Sequence, residues 1–259
     1  MTDELKNSRT NCYFLSDFHL GIPDEASSLA RERLIIKFFD EIKDDAAKIF
    51  LVGDIFDFWF EYSKVVPKGF VRILAKIAEL TDAGIEVHLF KGNHDLWEKS
   101  YLKSEIGVIY HRKPEIIECN GKKIHIAHGD GLGPDDFFYK LLLRIFEGRF
   151  NRLLFKWIHP DIGVRFGLLL SNKHRYTKRY LTGKDKNIIA ENELLYKYAS
   201  DIARKNPDID YLIYGHRHIP LTKELNNGKL FVLLGDWIMN YTYGIIDETG
   251  NFYLKKYES

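Results

Sequence analysis

Five short apolar runs, spread over two hundred residues, each give way to a loop bearing Asp, Asn or His, and this pattern limits the possible folds most. Residues 11–16, 48–52, 85–90, 122–127 and 210–214 have the length and the Val, Ile, Phe and Tyr content of buried strands. Between the first three, residues 28–43 and 69–83 place apolar side chains at helical spacing. Strand alternating with helix in this way predicts a mostly parallel central sheet. Toward the C-terminus the pattern becomes strands split by turns, with Asn226-Asn227-Gly228 and Glu248-Thr249-Gly250-Asn251 as the turn signals. The expectation is an α/β fold of two sheets packed face to face with helices outside.

The loops carry the chemistry. The first run ends in Ser16-Asp17-Phe18-His19, the second in Gly53-Asp54 and the third in Gly92-Asn93-His94-Asp95. The fourth ends in His128-Gly129-Asp130 and the fifth in Gly215-His216-Arg217-His218. Loops at the carboxyl ends of sheet strands are where α/β folds build sites. Asp17 and His19, like His216 and His218, are two residues apart, so each pair can project from one side of an extended segment. A lone Asp-x-His or Gly-Asp is more often a capped turn. Five in order, each closing an apolar strand, point instead to a metal centre. Five of the ten histidines fall in this set; His88, His111, His125, His159 and His174 have no such setting and read as structural.

Net charge is only +1, which gives no reason to expect nucleic acid as a partner. The distribution is uneven. Residues 140–186 carry twelve Lys and Arg against Glu147, Asp161 and Asp185, a surplus of nine, so the remainder carries −8. The wider stretch 135–186 is also rich in bulky apolar residues, among them Phe137, Phe138, Leu141, Leu142, Leu143, Ile145 and Phe146 near its start. We therefore expect a core of residues 1–134 and 187–259, with 135–186 inserted as a helical basic and apolar cap. Such a cap would attract a phosphorylated substrate and hold acyl chains or rest on an anionic bilayer. Cys12 and Cys119 are too few for a disulfide framework, which fits a reducing compartment. The opening Met-Thr-Asp-Glu-Leu-Lys lacks a secretion signal's basic start and apolar run, and no apolar stretch approaches a bilayer span. The expected location is cytoplasmic.

The ordered set D-x-H, G-D, G-N-H-D, H and G-H-x-H, spanning residues 17 to 218, resembles the calcineurin-like metallophosphoesterase superfamily. The resemblance implies a four-layer α-β-β-α sandwich and two divalent metal ions. One ion would be held by Asp17, His19, Asp54 and His218. The other would be held by Asp54, Asn93, His128 and His216, with Asp54 bridging. Mixed carboxylate, imidazole and amide ligation suits manganese foremost, or iron or zinc, over calcium. Such a pair polarises phosphoryl oxygens and brings the pKa of a water toward neutrality. Asn93 could also hydrogen-bond a phosphate oxygen, and His94 would stabilise developing charge or protonate the leaving group. Asp95 is expected to orient His94.

Calcineurin-type protein phosphatases carry G-D-x-x-D-R-G at the second block, whereas this chain reads Gly53-Asp54-Ile55-Phe56-Asp57-Phe58-Trp59, without the Arg. Three blocks are instead similar to those of the UDP-2,3-diacylglucosamine hydrolases of the Gram-negative lipid A pathway. These are Ser16-Asp17-Phe18-His19-Leu20-Gly21, Val52 through Trp59, and His128-Gly129-Asp130-Gly131-Leu132-Gly133-Pro134-Asp135-Asp136. Leu233-Leu234-Gly235-Asp236-Trp237 resembles that family's late Gly-x-Trp block. The implied reaction is hydrolysis of the substrate's pyrophosphate to UMP and 2,3-diacylglucosamine 1-phosphate, at the cytoplasmic face of the inner membrane. Asp136, Tyr139, Ser171, Asn172, Lys173 and Arg179 match stretches of the family's cap that meet the sugar nucleotide. Best-known members have Arg after the Asn of the third block, where this chain has His94, as the superfamily at large does. The alternatives are another small-molecule phosphoesterase, such as a nucleotidase or cyclic-nucleotide phosphodiesterase, and a non-catalytic scaffold. A scaffold would be expected to lose ligands, and all seven are present here.

Overall fold

The computed structural model describes residues 9–95, 97, 100–132, 148–172, 194–225 and 228–258. Two sheets are stacked. The first has six strands: β1 (Asn11–Leu15), β2 (Ala46–Leu51), β3 (Glu86–Phe90), β4 (Ile109–His111), β10 (Thr242–Ile246) and β11 (Phe252–Lys256). Their spatial order is β11-β10-β1-β2-β3-β4, with β1 to β4 mutually parallel. The second sheet contains β5 (Glu115–Cys119), β6 (Lys122–Ala127), β7 (Tyr211–Tyr214), β8 (Pro220–Glu224) and β9 (Leu230–Leu234), ordered β5-β6-β7-β9-β8. Here β6, β7 and β9 are parallel and the edge strands run against them.

Side-chain alternation builds the layers. In β1, Cys12 and Phe14 turn toward the second sheet, packing with Phe50, Val52, Phe90, Ile126, Ile213 and Val232. Tyr13 and Leu15, on the opposite face, pack under the helices α1 (Glu25–Ile42) and α2 (Val71–Asp82). The outer face of the second sheet is covered by α6 (Leu194–Lys205), through Leu195, Ala199 and Ala203. The order is helix, sheet, sheet, helix, as expected.

Local chemistry sets the helix ends. Asp24 caps α1 by accepting the Ser27 amide at 2.8 Å, and buried Ile35, Phe38, Phe39 and Ile42 form its inward face. Glu32 of α1 reaches across to accept the Ile73 amide at 2.9 Å, satisfying a donor in the first turn of α2. A short α3 (Tyr101–Ser104) follows, its first amides held by Glu61.

Of the basic, apolar stretch, two helices are described: α4 (Arg149–Lys156) and α5 (Pro160–Asn172). Phe155 of α4 is buried against Phe58, Phe60 and Trp97. Gly163 and Gly167 of α5 lie so close to Tyr62 and Phe58 that a Cβ at either position would collide with those side chains. The opposite side leaves Phe150, Leu154, Trp157, Ile162, Phe166 and Leu169 exposed, Trp157 by 85%. Asp136, Tyr139, Lys173 and Arg179 lie outside the described residues, and for Ser171 and Asn172 only the helical backbone ending α5 is described. No helix among the described residues is long and apolar enough to cross a membrane.

Phe14 stacks on Phe50 between the sheets, with ring centroids 4.7 Å apart, and both are fully buried. Phe14→Ala is expected to lower unfolding stability by about 3–5 kcal/mol, measured as a shift of the urea midpoint at unchanged slope.

Candidate metal centre

Six parallel strands, three from each sheet, end at one rim. Pairing keeps those ends level: Leu15 lies beside Leu51 and Leu51 beside Leu89 in one sheet, Ala127 beside Tyr214 and Tyr214 beside Leu233 in the other. Each strand then passes directly into a loop bearing a site residue. Asp17, His19, Asp54, His216 and His218 all adopt positive φ, between 44° and 66°. Non-glycine residues avoid that region, and its concentration at these five positions marks a strained, functional rim.

The loops are laced together by backbone bonds. The amides of Asp17, His19 and Leu20 donate to the carbonyls of Gly53, Asp54 and Ile55, at 3.1, 2.9 and 3.0 Å. Gly53 (φ +82°) is required here, because a Cβ would sit 2.5 Å from His128 Nδ1. Gly92 is required too, since a Cβ there would strike the Asp54 carboxylate and backbone.

The two central carboxylates each divide their oxygens in the same way. Asp17 Oδ2 accepts the His216 amide at 2.9 Å, and Oδ1 lies 3.3 Å from His218 Nε2 and 3.7 Å from His19 Nε2. Asp54 Oδ1 accepts the His94 amide at 2.9 Å, while Oδ2 lies 3.2 Å from His128 Nε2 and 3.5 Å from His19 Nε2. One oxygen thus fixes a loop and the other faces imidazole nitrogens. Asn93 Oδ1 and His216 Nδ1 are 3.0 Å apart. With metal–nitrogen bonds of about 2.0–2.1 Å, adjacent ligands of one ion stand roughly 3 Å apart, so these separations suit shared coordination.

Three groups of donors each fall within 4.8 Å: Asp17, His19 and His218; His19, Asp54 and His94; and Asp54, His128 and His216. Asp54 belongs to two of them, which suits a bridging carboxylate. Six of the seven expected ligands fall in these groups, together with His94, and Asn93 joins them through its 3.0 Å approach to His216 Nδ1. The donor atoms also read as ligands: buried Asp17 Oδ1 and His128 Nε2 make no hydrogen bond, whereas every other polar edge of those side chains is held. Orphaned buried polar atoms are costly, and a cation would satisfy both.

Behind the ligands stand acceptors that fix each ring. His19 Nδ1 meets Asp57 Oδ1 at 3.1 Å, His218 Nδ1 meets Asp236 Oδ2 at 3.2 Å, and His128 Nδ1 donates to the Val52 carbonyl at 2.8 Å. An Nδ1–H so engaged leaves the Nε2 lone pair to face the centre. Asp57 also anchors His94, whose Nδ1 donates to the Asp57 carbonyl at 2.9 Å and lies 3.4 Å from its carboxylate. This corrects the expectation for Asp95. Its oxygens accept the Gly92 and Ile55 amides at 2.8 and 2.9 Å, clamping the second and third loops, and Asp57 orients His94 instead. Sequence spacing did not reveal the roles of Asp57 and Asp236; the one available signal was an extra carboxylate within two ligand blocks.

The electrostatics are those of a site made for cations. Burial opposes charge on Asp17, yet His218, His19 and His128 outweigh it and hold its carboxyl near about 2. Burial likewise works against a charged His19, but contacts with Asp17 and Asp57 and the charge of Asp54 lift it to about 10. His128 is raised well above its ordinary value by Asp54, against burial. Burial and the nearby Asp54 charge push Asp95 up to about 6. Burial holds His94 below the ordinary imidazole value.

Residues 11–220 match the family model described as calcineurin-like phosphoesterase. The chain belongs to the calcineurin-like phosphoesterase family. Among curated relatives, the UDP-2,3-diacylglucosamine hydrolase of Porphyromonas gingivalis is 36% identical over 254 residues, covering 93% of this chain and 95% of that protein. The enzyme of the same name from Yersinia pseudotuberculosis is 24% identical, covering 86% and 90%. The solved structure of Vacuolar Protein Sorting 29 from Cryptosporidium parvum aligns over 96% of this chain and 92% of its own, at 13% identity and a TM-score of 0.48. Calcineurin-like phosphoesterases bind divalent metals, and the donor set described here fits that chemistry.

His19 and His128 hold protons when no ion is bound, so loading must expel them. Because His19 is raised in the folded state, its contribution to metal-free stability is complete below about 6.5, the ordinary imidazole value, and fades as pH rises toward about 10. The melting temperature of the chelator-treated protein is therefore expected to fall from pH 6.5 to 10, while manganese affinity rises. Calorimetry in buffers of different ionisation enthalpy is expected to show proton release on loading.

Proposed function

We propose that this chain hydrolyses the pyrophosphate bond of UDP-2,3-diacylglucosamine, releasing UMP and 2,3-diacylglucosamine 1-phosphate. The observation that carries hydrolysis is the pair of donor groups sharing the buried Asp54 carboxylate. The substrate assignment is supported by the name of the relative 36% identical over nearly the whole chain. It is supported also by the exposed apolar side of α4 and α5, where Trp157 and Phe166 stand beside exposed Lys156 and Arg165. That surface suits acyl chains and an anionic headgroup layer better than it suits a small nucleotide.

Asp17, His19, Asp54 and His218 would hold one ion, and Asp54, Asn93, His128 and His216 the other, with manganese the favoured metal over iron or zinc. Two such ions would polarise the phosphoryl oxygens and lower the pKa of a water toward neutrality. The residues themselves do the positioning. Water adds to the α-phosphorus, and the bond to the bridging oxygen breaks, that oxygen leaving with the β-phosphate. Asn93, half-buried at the rim, presents its amide to a phosphate oxygen. His94, with Nδ1–H committed to the Asp57 carbonyl, would take the proton that the water releases at Nε2 and pass it to the leaving oxygen.

Residues 135–186 form the cap in this reading, with Asp136, Tyr139, Ser171, Asn172, Lys173 and Arg179 meeting sugar and phosphate. The described helices support it: Phe155 packs on Phe58 and Phe60, immediately after Asp57. The apolar side of α4 and α5 rests on the cytoplasmic face of the inner membrane, so the enzyme meets its substrate peripherally.

The test is UMP release from acylated UDP-glucosamine in mixed micelles, with manganese and after chelation. Manganese-dependent release is expected. Turnover of water-soluble nucleotides without detergent, equal to that on the lipid, would favour a nucleotidase or cyclic-nucleotide phosphodiesterase instead. Asp54→Ala is expected to remove both ions and lower kcat on the order of 10³-fold or more; retained turnover would contradict the bridging assignment.

A further inference from the structure

The two ion positions are not backed alike. The ring of His128 is held from behind by a neutral peptide carbonyl. His19 and His218, which share the other position with Asp17, are both held by buried carboxylates, Asp57 and Asp236. Asp236 lies at the end of β9 and is fully buried. Its Oδ1 accepts three successive amides, Ile238 at 3.1 Å, Met239 at 2.8 Å and Asn240 at 3.0 Å. That nest fixes the carboxylate, leaving Oδ2 aimed at His218 Nδ1. The same turn grips the His218 loop again, because Asn240 Nδ2 donates to the His218 carbonyl at 2.9 Å. Next in sequence, the Trp237 amide donates to the Asp17 carbonyl at 3.2 Å. One short turn thus holds two of the expected ligands of a single position.

We propose that Asp236 is a positioning residue which sets the affinity of the Asp17–His19–His218 position selectively, by fixing His218 as the Nδ1–H tautomer. The inference rests on the reading of that group as an ion position. An ionised carboxylate only accepts, so the proton stays on Nδ1 and the Nε2 lone pair, 3.3 Å from Asp17 Oδ1, stays available to the ion. On the other side of Asp54, the His128 ring is held by the Val52 carbonyl and not by a carboxylate.

The experiment compares wild type with Asp236→Asn by equilibrium dialysis against manganese, counting ions per chain. Asparagine keeps an oxygen for the three amides but turns an N–H toward His218 Nδ1, which drives the proton to Nε2. Wild type should bind two ions per chain. The variant should keep one at wild-type affinity and bind the other about 10–100-fold more weakly. The melting temperature of the metal-free variant should stay close to wild type. Two ions at unchanged affinity, or both weakened equally, would overturn the proposal. Should the variant fail to fold, nitrogen NMR of the metal-free wild type at alkaline pH decides: a neutral His218 protonated at Nδ1 supports the assignment and an Nε2-protonated ring overturns it. Because these readouts count ions and tautomers, a wild type that loads two ions yet releases no UMP would refute the proposed function and leave this inference standing.

Discussion

The Asp54 carboxylate is the interaction on which the rest depends. It is buried at the meeting of both sheets, where burial alone would make its charge costly. His128, His94 and His19 around it more than offset that cost, holding its carboxyl well below the usual range. One oxygen is spent on the His94 amide, which locks the third loop to the second; the other faces both donor groups. Asp17 repeats the arrangement across the sheets, locking the His216 amide. Loop geometry and ligand geometry are thus set by the same two side chains. A third acid, Asp95, completes the clamp from behind without reaching the centre.

This arrangement is possible because the sandwich supplies six parallel strand ends in register, three in each sheet. Each parallel strand needs a crossover that returns the chain to the same end, through helices after β1 and β2 and through β8 between β7 and β9, so the strand-end loops converge. The inter-sheet core under them is tightly apolar, with Phe14, Phe50, Phe90 and Val232 fixing the spacing of the two rims. Strain at the five positive-φ ligands persists because backbone bonds between the loops, and glycines at 53 and 92, leave no relaxed alternative.

Much of this was legible in the sequence for a simple reason. The strands are fully buried and the ligands follow them immediately, so apolar runs and adjacent Asp, Asn and His residues mark both fold and site. Helices expected over 28–43 and 69–83 are found at Glu25–Ile42 and Val71–Asp82. The edge strands were harder. β4 has three residues and β5 is mostly exposed, so neither presents an apolar run. The backing carboxylates were hidden for another reason. Whether Asp57 or Asp95 faces His94 depends on left-handed turns that no periodicity predicts, and Asp95, being adjacent in sequence, was the wrong choice. Asp236 sits eighteen residues beyond His218, brought back by the β8–β9 hairpin that sets Pro220 opposite Leu234.

Burial also gives the centre a direction. Asp17, His19, Asp54 and His128 form a closed floor, while Asn93, His94, His216 and His218 are less completely buried and form its edge. Among the described residues the centre is therefore most open over the third and fifth loops, where an amide and an imidazole stand. The segment that follows Asp57 runs from this edge into Phe58, Phe60 and Tyr62, the platform on which α4 and α5 rest. Ring orientation at His19 and His94 and the seating of those helices thus depend on one continuous stretch of backbone. A side chain too large at Gly167 would press on Phe58 and reach His19 through Asp57 within a single residue step. The outer helices thus pack on side chains that adjoin Asp57 in sequence, so bulk added at Gly167 is expected to register in metal affinity as well as in turnover.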